Sequence, residues 1–199
     1  IRTDPLHVPD PILWSPENPC LYQLETKLIQ DGTVIDSITT PYGIRWIRWP
    51  VGKNRHTGQF LLNGKPLFIN GTAEYEHNMG QSHAFGGEQI RTRVMQVKAA
   101  GFNAFRDAHQ PHNLQYNHYW DSLGLLWWPQ FAAHIWFDND AFRENFKMLL
   151  KDWVKERRNS PSVILWGLEN ESTLPEDFAR ECADIIRELD PTASEPVSY

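Results

Sequence analysis

Tyr22, Leu24, Thr26 and Leu28 alternate with Gln23, Glu25 and Lys27, the period-two pattern of a half-buried strand. Asp31-Gly32 supplies a tight turn, and residues 34–39 return the chain as a second strand. Upstream, Trp14-Ser-Pro-Glu-Asn-Pro19 is turn-rich and extended. Together these segments predict the end of an antiparallel β-sandwich, with too few strands to close it. A hairpin around Asn63-Gly64 follows within residues 60–69. The pattern then changes to strand alternating with helix. Strands are predicted over 66–71, 102–105, 125–128 and 162–168. Helices are predicted over 88–100, with Ile90, Val94 and Val97 on one face, and over 113–123, 141–157 and 176–189. The helix over 141–157 carries an apolar stripe of Phe142, Phe146, Leu149, Trp153 and Val154. Gly101 and Gly124 sit where helices stop, and Asn159-Ser-Pro161 and Asp190-Pro191 break the last two. Repeated strand–helix units imply a parallel sheet, and about four of them make half of an eight-stranded barrel. The expected organisation is a sandwich end over 1–46, a linker over 47–59 and the first half of a barrel over 60–199. Gly86-Gly87-Glu88 lacks the spacing of a phosphate loop, which disfavours a doubly wound nucleotide fold.

Composition narrows the partners. A net charge of −6 with no block of Lys or Arg argues against nucleic acid or an anionic membrane. No apolar run is long enough to span a bilayer. Nine Trp in 199 residues is a high share; such rings pack cores and also stack on the apolar faces of sugars. Cys20 and Cys182 lie far apart without metal-ligand spacing and read as small buried hydrophobes. Ile1 stands where a natural start would have Met, and no signal-peptide pattern follows, so an excised segment is expected and the compartment stays open.

In strand–helix barrels the site lies at the C-terminal ends of the strands. Those ends run here into Glu74-Tyr-Glu-His77, Arg106-Asp-Ala-His109-Gln-Pro-His112, Trp128-Pro-Gln-Phe131 with His134 beyond, and Glu169-Asn-Glu171. Ionisable residues at every strand end are costly to bury without a purpose. Glu171 is the sharpest candidate. Glycosidic cleavage needs a proton donor for the leaving oxygen, and desolvation in a half-buried pocket would let a Glu hold that proton. The structural alternative is a helix N-terminal contact. Glu169 and Glu171, projecting in parallel from one strand, are not expected to flank a bond from opposite sides. Asn170 suits a sugar hydroxyl beside the reacting carbon, or a local turn. Arg106 suits carboxylate orientation, or an ion pair with Asp107. His77, His109, His112 and Asp107 are read as hydroxyl-binding or loop residues rather than as a metal site, because none shows helical zinc spacing. Trp127, Trp128 and Trp136 are candidate stacking surfaces. Alternation allows only one of Trp127 and Trp128 to face the pocket, and Trp127 is expected in the core.

These segments resemble glycoside hydrolase family 2, the β-galactosidase and β-glucuronidase group, and most closely its large multidomain β-galactosidases, some acting on marine galactan oligosaccharides. The likeness rests on Trp14-Ser-Pro-Glu-Asn-Pro-Cys-Leu-Tyr22, Tyr42-Gly-Ile-Arg45, Leu62-Asn-Gly-Lys-Pro-Leu-Phe-Ile-Asn-Gly71, Gly101-Phe-Asn-Ala-Phe-Arg106 with His109 and Pro111, and the run from Ser160 through Trp166 to Asn170-Glu171-Ser172. It implies an immunoglobulin-like β-sandwich leading into a TIM (β/α)8 barrel, and a retaining glycosidase acting on terminal β-galactosides or related β-glycosides without a cofactor. It implies that Glu171 is the general acid/base and that Asn170 contacts the 2-hydroxyl. Arg106 would support the nucleophile region and His109 the terminal-sugar subsite. Glu76, His77 and Trp128 complete the expected substrate-binding set. The family nucleophile is a Glu on the seventh strand, beyond Tyr199, so the remainder of the same polypeptide is expected to complete the barrel and these 199 residues alone to be inactive. The other reading is a non-catalytic carbohydrate-binding or scaffold fragment. Three positions depart from the family pattern. Tyr75 replaces the first His of a His-Glu-His run, Pro129-Gln130 replaces an Asp-Glu pair, and Glu169 stands where Gly is frequent. These leave metal dependence and sugar preference open.

Overall fold

The computed structural model describes residues 5–50, 58–76, 84–132, 137–192 and 197–198. Strands β1 (Tyr22–Gln30) and β2 (Thr33–Tyr42) form the expected antiparallel hairpin. Asp31 and Gly32, with φ of 51° and 77°, take the left-handed conformations that a two-residue turn of this kind requires. The face marked for burial by the alternation is not covered: Leu24, Leu28 and Ile38 are 42%, 55% and 64% exposed. Alternation records which side of a strand is apolar. A second layer must supply the cover, and this two-stranded sheet has none among the described residues.

Short strands β3 (Ile47–Arg48), β4 (Leu61–Leu62) and β5 (Lys65–Pro66) form an antiparallel sheet, with Asn63 and Gly64 turning β4 into β5 at φ of 52° and 79°. The segment expected as a linker therefore contributes a strand at its start. Trp49 packs on Phe60 with ring centroids 4.8 Å apart and donates its indole N–H to Ile164 O at 2.8 Å. Trp14, Phe60 and Leu62 cluster with Ala104, Leu126 and Ile164, so this small sheet closes one end of the strand–helix region.

That region runs β6 (Gly71–Tyr75), α1 (Gly87–Ala99), β7 (Ala104–Ala108), α2 (Gln115–Leu123), β8 (Leu126–Trp128), α3 (Asp140–Arg157), β9 (Trp166–Gly167), α4 (Glu176–Leu189) and β10 (Val197–Ser198). β6, β7 and β8 are parallel neighbours in that order, and β10 pairs in parallel with β9. The strand expected over 162–168 is regular only at β9. Parallel bridges Trp127↔Val163 and Gln130↔Gly167 nevertheless lay the segment along β8. The helices cover the outer face. Ile90, Val94 and Val97 of α1 are buried as their spacing predicts. In α3 the buried side chains are Phe146, Leu150, Trp153, Val154 and Arg157, whereas Leu149 is 48% exposed. Leu149 and Leu150 border the same stripe, and the packing against β8 and α4 selects Leu150 and sets the stripe at 146, 150, 153, 154 and 157. Gly124 ends α2 at φ 74° as expected. Cys182 is buried in α4, but Cys20 is half-exposed, which corrects the expectation that both are core residues. Among the described residues no helix is long and apolar enough to cross a membrane.

A buried polar cluster fastens the N-terminal segment to this closed end. Arg45 donates to the backbone oxygens of Pro161 (3.0 Å) and Val163 (2.6 Å), and Trp14 donates its indole N–H to Asp121 O at 2.8 Å. The Asp121 carboxylate, 7% exposed, accepts the Ser160 hydroxyl and the Ser162 amide (3.2 Å). Burial pushes its pKa up to about 6, with the two serines and Arg45 opposing. Because the folded pKa exceeds the ordinary unfolded value of ~3.9, the contribution of Asp121 to stability is complete below that value and is lost as pH rises through 6. Asp121→Asn keeps an acceptor oxygen and removes the titration. The expected result is a variant that gains ~2 kcal/mol on wild type between pH 4.5 and 7, read from denaturation midpoints at both pH values. A wild-type–variant difference that is flat with pH would show that the carboxyl is neutral, or equally charged, in both states.

Candidate active site

Register brings the interior face together in rows. Ala73, Arg106 and Trp128 lie opposite one another on β6, β7 and β8. Phe105 and Trp127, one residue earlier, point into the core beneath the helices. Alternation thus sends Asp107 away from Arg106. Asp107 is fully buried, accepts the Trp127 indole N–H at 2.8 Å and lies 3.5 Å from His112 Nδ1. Burial raises its pKa, against His112, Trp127 and Arg157. The Arg106–Asp107 ion pair considered from sequence is therefore absent. His112, 3% exposed between Phe105 and Tyr116, belongs to this core cluster and not to a pocket wall.

Arg106 instead donates from Nε (3.1 Å) and Nη2 (2.7 Å) to Gln130 Oε1, and from Nη2 to Asn170 Oδ1 at 2.8 Å. Its guanidinium lies over the Trp128 ring, 4.5 Å from the centroid, a favourable cation–π arrangement. Burial lowers its pKa, with Tyr75 opposing. Gln130, wholly buried, completes the group by donating Nε2 to Glu169 O at 2.7 Å. Three chain segments that end at one edge of the parallel sheet are thereby tied together: β7 by Arg106, the end of β8 by Gln130, and the residues after β9 by Glu169 and Asn170.

Gly167 makes the crossing possible. A Cβ there would lie 2.6 Å from Trp128 Nε1 and 3.1 Å from Gln130 Nε2. Trp128 Nε1 and Glu169 Oε2 are both shielded and have no hydrogen-bond partner among the described residues. Unmet donors and acceptors of this kind are costly to bury. A cavity of about 520 Å³ opens on the interior face between Trp49, Ile69, Ala73, Arg106, Trp128 and Ile164. Asn170 and Glu171 do not line it, so it lies along the sheet face below the strand ends.

Glu171 follows Asn170 directly. It is exposed, not half-buried as expected, and takes φ 47°, a left-handed conformation that costs a non-glycine residue ~1–2 kcal/mol. β9 has ended at Gly167, so Glu169 and Glu171 do not project in parallel from a common strand; Glu169 is half-buried and Glu171 turns outward. His109 is half-buried and meets Tyr75 edge to face at 5.1 Å. Glu76, 5% exposed, accepts the Asn113 backbone N–H at 2.7 Å, a contact that anchors the loop before α2. Glu74, one turn of the pleat away from the interior, pairs with Arg93 of α1 at 2.5 Å. His77, His134 and Trp136 lie outside the described residues. Among the described residues no group of three or more His, Cys, Asp or Glu could hold a metal ion.

Gln130 is the site residue that sequence reasoning missed. Its signal in the sequence was a polar residue just after an apolar Trp-Trp strand, at the place where the family resemblance implied an Asp-Glu pair.

The family model described as glycosyl hydrolases family 2, TIM barrel domain, matches residues 54–199, and that of glycosyl hydrolases family 2 matches residues 1–45. The chain belongs to glycosyl hydrolase family 2. It is 30% identical to a β-glucuronidase of Bacteroides fragilis over 201 residues, covering 94% of this chain and 28% of that protein. It is 29% identical to a β-galactosidase of Thermoanaerobacter pseudethanolicus over 188 residues, covering 91% of this chain and 24% of that protein. A crystal structure of a glycosyl hydrolase family 2 member from Bacteroides cellulosilyticus superposes with a TM-score of 0.81 at 32% identity, covering 92% of this chain and 24% of that one. The chain thus spans about a quarter of the length of the curated relatives it matches. These family 2 relatives are glycosidases, and the strand–helix region here is a portion of their TIM-barrel domain.

Proposed function

We propose that the polypeptide carrying these residues is a retaining β-glycosidase that cleaves terminal β-galactosides or related β-glycosides. The observation that carries this reading is the strand-end group in which Arg106 and Gln130 hold Asn170 and Glu169 beside Trp128, with Glu171 next in the chain. Glu171 protonates the leaving oxygen as the glycosidic bond breaks, and the anomeric carbon passes to a carboxylate nucleophile. Glu171 then takes a proton from the water that releases the sugar. In a retaining pair the two carboxyls stand ~5–5.5 Å apart on opposite sides of the bond. On this reading the nucleophile stands across the barrel, on a strand from another part of the polypeptide. Asn170 Nδ2, its oxygen already occupied by Arg106, is oriented to donate to the hydroxyl next to the reacting carbon. Trp128 offers ring surface, and His109 lines the terminal-sugar subsite. Exposed Leu24, Leu28 and Ile38 are read as the inner face of an immunoglobulin-like sandwich completed by further strands.

The test uses the complete polypeptide with aryl β-galactosides and aryl β-glucuronides, following the first-formed anomer by NMR. Release of the β-anomer ahead of mutarotation is the expected result. First release of the α-anomer, or sugar binding without any product, would overturn the reading.

A further inference from the structure

The geometry points to Gln130 as a positioning residue for the proposed reaction: its amide, and not merely its bulk, fixes the Asn170–Glu171 turn in working orientation. The inference rests on that reading of the site but concerns a residue outside the set that touches substrate. Gln130 is wholly buried and sits between two partners of opposite and fixed hydrogen-bonding character. Arg106 can only donate, and the Glu169 carbonyl can only accept. The side chain between them must accept at one end and donate at the other, which fixes the amide orientation without ambiguity and selects glutamine over glutamate. An acid of the same length could take the Arg106 bonds. It would then set a carboxylate oxygen against Glu169 O, where a donor now lies at 2.7 Å.

The consequence is local to the end of β9. Gln130 bridges in parallel to Gly167, and the absence of a side chain there lets the amide pass, since a Cβ would come within 3.1 Å of Nε2. From Gly167 the chain needs only Leu168 to reach the carbonyl that Gln130 holds, then Asn170, held through its own oxygen by Arg106. Glu171 follows in a left-handed conformation, which is strained for a glutamate and is kept where the packing around it holds the chain. Backbone bonds from Phe131 and Ala132 hold the chain at Gly167 and Leu168, and Gln130 and Arg106 extend that hold: one pins the backbone two residues before Glu171, the other the side chain one residue before. Because both Arg106 acceptors are neutral amides, the guanidinium keeps its charge for the pocket. A glutamate at 130 would draw it into an ion pair and away from Asn170.

The experiment compares wild type, Gln130→Glu and Gln130→Met in the complete polypeptide. Turnover of an alkyl β-glycoside, which needs acid assistance, is divided by turnover of an activated aryl β-glycoside, which does not. The ratio cancels any loss of folded enzyme. Misplacing Glu171 by about an ångström is expected to lower the ratio by about 30–100-fold in Gln130→Glu and by a similar factor in Gln130→Met. Hydrogen–deuterium exchange read on the same proteins is expected to quicken at residues 169–173 and not in β7. An unchanged ratio in an enzyme that is active as wild type, or unchanged exchange at 169–173, overturns the assignment. Should wild type hydrolyse neither glycoside, the proposed reaction falls, and the exchange measurement alone decides whether Gln130 holds the turn.

Discussion

Glu171→Gln in the complete polypeptide is expected to cut turnover of alkyl β-glycosides by about 10²–10⁴-fold while activated aryl β-glycosides retain most of their first-step rate. An alkoxide leaving group cannot depart without a proton, so the whole contribution of the acid is lost with it. A nitrophenolate leaves unaided, and its first step never used that proton. The second step does need the carboxylate as a base, so an aryl substrate should show a burst of phenolate followed by slow release of the sugar. Small anions such as azide, which need no deprotonation, should restore that second step. The amide replaces an exposed carboxylate and leaves the left-handed backbone at 171 unchanged, so stability should move by less than about 0.5 kcal/mol. Equal losses on both substrate classes, or none, would remove Glu171 from the acid/base role.

Arg106→Lys is the second large effect. The guanidinium performs three tasks at once: two bonds to Gln130 Oε1, one to Asn170 Oδ1 at 2.8 Å, and face-on contact with Trp128 at 4.5 Å. A planar fork meets these together because its donors and its flat face are rigidly related. An ammonium keeps the charge but must choose among the acceptors, and it stacks less well. Loss of kcat/KM by about 10²-fold is expected, carried mostly by kcat, since the residues displaced act on the reacting bond and not on remote parts of the sugar. A Lys variant with wild-type kcat/KM on alkyl glycosides would show that the fork has no part in orienting Asn170. The result also bears on Gln130, because the two residues share one oxygen. A double variant Arg106→Lys, Gln130→Met should therefore lose much less than the product of the single losses.

Much of the architecture was legible from local pattern. The hairpin needed only alternation and Asp31-Gly32. The helices followed from apolar spacing and their stop signals, and α4 is found at the residues predicted. Local pattern reached less far where two answers differ by one residue. Leu149 and Leu150 are equally apolar, and only the packing of α3 against its neighbours buries one and leaves the other 48% exposed. The site divides along the same line. Strand ends rich in polar residues marked Arg106, Asn170 and Glu171, and alternation separated Trp127 from Trp128. Asp107 and His112, equally polar and as near to a strand end, turned out to face the core, and Glu76 to anchor a loop. Gln130 was passed over because its meaning lies in partners 24 and 39 residues away.

The sequence by itself determined the period of each element, the turns between them and the family to which they belong. These depend on side-chain size, polarity and backbone freedom over a few neighbouring residues, all of which are written in order along the chain. The tertiary structure alone decided which polar groups meet. It paired Arg106 with two amides and not with Asp107, bent the chain at Glu171, and spent Gly167 on passage for Trp128 and Gln130. Hydrogen bonds act over about 3 Å with strict donor and acceptor roles, and such proximity between distant residues exists only once the parallel strands are in register.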